Sequence, residues 1–202
     1  MELMNAAEFR QAWLAGAHKF NRKLITASAG ALAQAELPEA ARQFLATAGL
    51  PAQAAPYLDF AQLRNKPLTT LAEFAGPRAE SAHRIYLIGG TGSGDPLGID
   101  AAGLIWEYNH DQDLAPMFVN SSVAQLAACL LAYRQLVADT VRARGNYLAA
   151  VLSRNVPADV VSRFDEQLRQ IDPVAYKGQP AEPGARFPSK WQQELRALEA
   201  QP

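Results

Sequence analysis

The stretch Ile88–Asp100, "IGGTGSGDPLGID", decides how this chain is read, because four of its first seven residues are glycine. A phosphate cradle and a strand-to-strand turn both use such clusters, and they imply different folds. A Walker loop needs Gly-x-x-x-x-Gly-Lys-Ser/Thr. Gly89 and Gly94 have that spacing, but Asp95 and Pro96 stand where Lys and Ser/Thr belong. Asp95 would repel a phosphate, and Pro96 removes an amide donor. The dinucleotide pattern Gly-x-Gly-x-x-Gly fails as well: after Gly90 and Gly92 the third position is Asp95, and after Gly92 and Gly94 it is Leu97. Both motifs also need a helix immediately after the glycines, with its N-terminus facing the phosphate. "PLGID" reads instead as a strand, so the stretch is expected to be a loop between two strands.

The flanking sequence extends that β reading. "RIYLIGG" is apolar on both faces from Ile85 to Ile88, as an inner strand requires. "PLGID" and "LIWEYNHD" read as strands joined by Asp100-Ala101-Ala102-Gly103, with Asp and Gly placed as in a type I turn with a bulge. "APMFVN" is a further short strand. "NSSVAQLAACLLAYRQLVADTVRA" is the strongest helix, with Val123, Leu126, Leu130, Tyr133, Val137 and Val141 at helical spacing. Ser122 and Gln125 predict a capping box at its start.

Helices are also predicted at both ends. Asn5 and Glu8 form a capping box ahead of Phe9, Trp13, Ala17 and Phe20. "LPEAARQFLATAGLP" has Pro38 in its first turn and Gly49 and Pro51 at its stop. "KLITAS" suits a short strand or an extended link, and "LTTLAEF" an extended piece. "PADVVSRFDEQLRQI" starts a helical tail at Pro157, and "SKWQQELRALEA" closes it behind a Ser189–Gln192 box. The expected fold is α+β: a twisted, mainly antiparallel sheet of about five or six short strands with helices around it. One domain covers 1–202, with a helical N-terminal extension at 1–36, a core at 37–145 and a helical tail at 146–202. The tail contains a Pro/Gly linker at 173–188.

Composition narrows the function classes. Net charge is −1 over 202 residues, so no overall basic field points to nucleic acid. The one cysteine, Cys129, excludes an intrachain disulfide and fits a reducing, cytoplasmic location. The N-terminus lacks the order of a signal peptide, and no run is long enough to span a membrane. His18, His83 and His110 lie in separate segments without metal-ligand spacing. "HDQD" (His110, Asp111, Asp113) is the best metal candidate, at the end of a hairpin. Ser121 and Ser122 lack a nucleophile elbow and are explained as caps. Cys129 sits in an apolar stripe, away from the helix N-terminus that would activate it. No catalytic residue, cofactor or metal is assigned.

Charge is segregated. From Ile85 to Tyr133 there is no Lys or Arg, but there are Asp95, Asp100, Glu107, Asp111 and Asp113. The other 15 acidic residues share the rest of the chain with all 19 basic ones. Trp106 and Tyr108 lie in the same acidic stretch. A solvated hairpin face would give this pattern. So would a docking surface for a basic protein, in which acids steer encounter and aromatics anchor.

The order of several segments resembles the SUKH superfamily, and most closely its fourth bacterial immunity-protein family, of Smi/Knr-like fold. The segments are "LPEAARQFLATAGLP", "YLDF", "IGGTGSGDPLGIDAAGLIWEYNH" and "FVNSSVAQLAACLLAY", followed by "IDPVAY" and a later tryptophan. The resemblance implies a non-catalytic protein that binds and neutralises a cognate toxin, often a nuclease or deaminase in this superfamily. Asp95, Asp100, Trp106, Glu107, Tyr108, Asp111 and Asp113 are the candidate toxin-facing residues. A small-ligand or nucleotide-binding protein using the glycine loop, or a regulatory adaptor on the same fold, are the alternatives.

Overall fold

A computed structural model describes residues 4–16, 23–76, 82–145, 155–177, 180–182, 185–186 and 189–199. Ala17, Phe20 and His18 lie outside the described residues. Helix α1 (Ala6–Ala15) starts at the expected box, with Asn5 and Glu8 each accepting from the other's main chain. It buries Phe9 and Trp13. "KLITAS" contributes a short strand, β1 (Leu24–Ile25), and then the cap of α2 (Ala29–Ala33). Helix α3 (Glu39–Thr47) begins after Pro38 and buries Ala41, Phe44 and Leu45. Strand β2 (Leu50–Pro51) pairs with β1.

Six strands form one antiparallel sheet in sequence order: β3 (Gln53–Ala54), β4 (Leu58–Asp59), β5 (Tyr86–Thr91), β6 (Pro96–Ile99), β7 (Ile105–Asn109) and β8 (Ala115–Asn120). The glycine stretch is therefore a hairpin, with β6 where a phosphate-binding motif would need a helix. Between β4 and β5, "LTTLAEF" is not extended. It holds a short helix, α4 (Leu71–Ala75), because Thr70 and Glu73 close a capping box unrecognised in the sequence. Gly89 is set by close approach: a Cβ there would lie 2.1 Å from the Asp59 carbonyl oxygen on β4. The Asp100–Gly103 turn forms as read, with Gly103 at φ +88° and its amide donating to the Asp100 carbonyl.

Helix α5 (Val123–Arg144) follows β8 directly. Only half of its expected box is present. Ser122 Oγ accepts from the Gln125 amide, but the Gln125 side chain bonds the Ser122 hydroxyl and the Ile171 carbonyl. The Ile171 carbonyl ends the next helix, so Gln125 joins two helices instead of closing its own cap. Helix α6 (Ala158–Ile171) packs along α5, and Tyr133, Phe164 and Trp191 form an aromatic cluster joining both to the last helix, α8 (Lys190–Glu199). The expected linker begins with a short helix, α7 (Pro173–Lys177), and continues with the paired strands β9 (Pro180–Glu182) and β10 (Ala185–Arg186). The Ser189–Gln192 box is complete.

One apolar cluster runs from Phe9 in α1 to Leu198 in α8. A smaller one, of Leu71, Ala75, Leu87, Tyr108 and Leu114, lies under α4. The C-terminal helices are fixed by Asp172, which is 1% exposed. Its carboxylate accepts from Asn120 Nδ2 (3.1 Å), the Ser121 amide (2.7 Å), Ser121 Oγ (2.8 Å) and the Ala175 amide (3.1 Å). Asn120 Oδ1 in turn accepts from Trp191 Nε1 at 2.9 Å. Hydrogen bonds to a charged group contribute about 1.5–3 kcal/mol each, and a buried donor left unpaired costs about 1–3 kcal/mol. Asp172→Ala should therefore lower unfolding free energy by at least about 3 kcal/mol. Asp172→Asn, which keeps an acceptor, should cost less. Urea melts of the two variants check this order.

Candidate partner-binding surface

In a six-stranded meander, alternate turns fall at opposite ends. The β3–β4 turn (55–57), the β5–β6 turn (92–95) and the β7–β8 connection (110–114) share one end, and the Asp100–Gly103 turn lies at the other. The three turns at the first end are tied together. The Gly92 amide donates to the Tyr57 carbonyl at 2.8 Å. Asp95 Oδ1 accepts from the His110 amide at 3.0 Å and lies 2.8 Å from His110 Nδ1. Inside the glycine turn the Gly94 amide donates to the Thr91 carbonyl, and Ser93 Oγ donates to Asp95 Oδ2 at 2.7 Å. The Gly94 amide thus serves the turn itself, the Gly92 amide serves the neighbouring β3–β4 turn, and the Asp95 carboxylate is bonded within the turn. The geometry offers no phosphate cradle.

The seven acidic-stretch residues separate into three groups. Asp95, Asp111 and Asp113 share the tied end. Asp111 is largely exposed, with its carboxylate 3.3 Å from His110 Nε2, and exposed Asp113 turns the chain in the left-handed region at φ +51°. Asp95 itself is mostly covered. Asp100 and Trp106 lie toward the opposite end. Asp100 accepts from the Ala102 and Leu104 amides and from Trp106 Nε1, and the half-buried indole packs edge-on against Phe118 at 5.2 Å. Both residues build their hairpin.

Glu107 and Tyr108 face inward. Tyr108 is in the cluster under α4, where burial pushes its hydroxyl pKa up. Glu107 points to the helical side and pairs with Lys190 of α8 at 2.7 Å, with both side chains about nine-tenths buried. The base that pairs with Glu107 comes from the far end of the chain. Sequence reasoning missed Tyr57, which is 57% exposed at the tied end beside the glycine turn. Its place between Pro56 and a strand was the available signal.

The candidate nucleophiles are occupied in the fold. Ser121 Oγ donates to Asp172 and Ser122 caps α5. Cys129 is buried, and burial pushes its thiol pKa up, away from thiolate. Among the described residues, no group of three or more His, Cys, Asp or Glu side chains is placed to hold a metal ion, and His83 lies away from His110 beside Glu73. No helix among the described residues is long and apolar enough to cross a membrane.

The family model for SUKH-4 immunity protein matches residues 5–195. The chain belongs to the SUKH-4 immunity protein family. The match takes in α1, the whole sheet and most of α8, so both terminal helical segments belong to the family's pattern. No curated protein and no solved structure matches the chain.

Two outcomes are expected. Lys190→Met should destabilise the fold by about 3–5 kcal/mol, because it strands a buried carboxylate, and a second change, Glu107→Leu, should recover most of the loss. Denaturant melts of the single and double variants measure both steps. The second concerns pH. Burial pushes the Asp95 carboxyl up, but hydrogen bonds from the His110 amide and Ser93, with the His110 ring, outweigh it and hold the group below its ordinary value. The folded chain thus binds this proton less tightly than the unfolded chain. The resulting stability is complete above the ordinary carboxylate value of about 4 and is lost as pH falls through the lower folded value. The deficit of Asp95→Asn relative to the parent should be largest near neutral pH and should shrink in acid. Melts between pH 3 and pH 7 test the sign.

Proposed function

We propose that this SUKH-4 protein neutralises a cognate protein toxin by binding it, with no chemistry of its own, in the cytoplasm of the producing cell. Family membership carries this reading. The occupied state of Ser121, Ser122 and Cys129 supports the absence of a catalytic role. We further propose that the toxin docks on the tied end of the sheet, through Asp111, Asp113 and Tyr57, with Asp95 holding the turns in place. These three turns contain no Lys or Arg. Their exposed charge is therefore acidic, which suits a basic toxin such as a nuclease or a deaminase. Exposed acids act mainly by speeding encounter, and an exposed aromatic acts mainly by slowing dissociation.

The test uses the cognate toxin, identified by capture from the native host on the purified protein and mass spectrometry. Stoichiometric inhibition by the purified protein is expected. Changing Asp111 and Asp113 to Lys should slow association at least about tenfold at low salt and flatten its salt dependence, without unfolding the protein. Tyr57→Ala should chiefly speed dissociation. Unchanged association of the double charge reversal would move the docking surface elsewhere. Failure of the parent protein to inhibit the toxin would remove the functional reading.

A further inference from the structure

A second feature lies away from the tied end. A cavity of about 180 Å³ opens between α2, α4 and the start of β5. Its floor is apolar, with Ala31, Ala35 and Leu68. Its polar lining is Gln34, Thr70, Glu73, His83 and the hydroxyl of Tyr86, with the Glu73 carboxylate as its one anionic group. Among the described residues no Lys or Arg lines it; the His83 ring lines it beside Glu73, and the nearby Arg84 is engaged with Glu36 at 2.6 Å. Among the described residues, both hydrogen bonds that Glu73 accepts from Thr70 fall on Oε2, which leaves Oε1 for a ligand. The bonds from the Thr70 amide and hydroxyl also hold the Glu73 carboxyl below its usual range, so the group is ionised at neutral pH. The Tyr86 oxygen accepts from the Glu36 amide at 3.1 Å and has a second lone pair.

The chemistry of such a pocket is selective. The ionised Glu73 carboxylate at its rim disfavours an anion. A single carboxylate is too little for a divalent metal, which takes six or more oxygen ligands. An apolar floor below an anionic rim fits a long side chain that buries methylenes and keeps a cationic head at the mouth. We propose that this cavity receives a lysine or arginine side chain of the toxin, with its methylene stem against Ala31, Ala35 and Leu68 and its cationic head on Glu73. The source of that side chain rests on the toxin-binding reading above, whereas the pocket's preference for a cation does not.

The decisive variant is Glu73→Gln. Glutamine at this position of a capping box still accepts from the Thr70 amide, so α4 keeps its cap while the charge is lost. The ¹⁵N-labelled protein should be titrated with N-acetyl-lysine methylamide, N-acetyl-arginine methylamide and, as an apolar control, N-acetyl-norleucine methylamide. Saturable shifts at Gln34, Thr70, Glu73, His83 and Tyr86 with the two cations alone, and their loss in E73Q with an otherwise unchanged spectrum, are expected. Equal shifts with norleucine, or with E73Q, would overturn the pocket's chemistry. Tighter binding of free spermidine than of either capped amino acid would overturn a protein side chain as the occupant. With the toxin, E73Q should weaken binding at least about tenfold. Unchanged toxin affinity would overturn the assignment while leaving the neutralisation reading intact. Failure of any form to bind the toxin would remove that reading, and the protein source of the cation with it.

Discussion

The carboxylate of Asp172 sets the arrangement of the helices on the sheet. A carboxylate that is 1% exposed persists only where donors replace its water, and four are supplied from two distant places in the chain. Asn120 and Ser121 come from the junction of β8 and α5, and Ala175 comes from α7. Asp172 itself ends α6. One side chain therefore fixes where the long helix begins, where its partner ends and where the tail turns. Asn120 extends the constraint by accepting from Trp191, which positions α8. With α8 placed, Lys190 reaches Glu107 and covers the helical side of β7.

That sequence of constraints decides which acidic residues remain available to a partner. The excess of acid between Ile85 and Tyr133 is real in the sequence, but a strand sends alternate side chains to opposite faces. Glu107 goes to the helices and Tyr108 goes under α4. Asp100 is consumed by its own turn. Only the acids in the turns of one end, Asp111 and Asp113 above all, remain in water. A linear count of charge could not separate these groups, because the residue that neutralises Glu107 is 83 positions later in the chain.

The legible parts of the fold were those written in local chemistry. The glycine hairpin followed from Asp95 and Pro96, the β6–β7 turn from Asp100 and Gly103, and the caps of α1 and α8 from pairs three residues apart. Helix α4 was missed although Thr70 and Glu73 have that same spacing, because five residues show too little apolar periodicity to override an extended reading. The Ser122–Gln125 box was half wrong for a different reason: Gln125 found a better partner in the Ile171 carbonyl, 46 residues away. Tyr57 was hidden because the sequence shows only an aromatic residue before a strand, and its exposure is decided by the packing around it. The α4 box was local and only too short to read, whereas the contact that took Gln125 came from a segment remote in sequence.

The same division bears on how a binding protein of this kind works. Its framework is locked by interactions in the interior, between Asp172 and its donors and between Glu107 and Lys190. Its candidate surface is made of turns, which in most proteins are the segments with most conformational freedom. Here the turns are cross-linked to one another, because Gly92 binds Tyr57 and Asp95 binds His110. Ordering loops on association opposes binding by about 0.5–1.5 kcal/mol for each immobilised side chain. Turns that are already ordered avoid much of that loss. The buried carboxylate of Asp95 is what joins two of these turns, because it binds both the amide and the ring of His110.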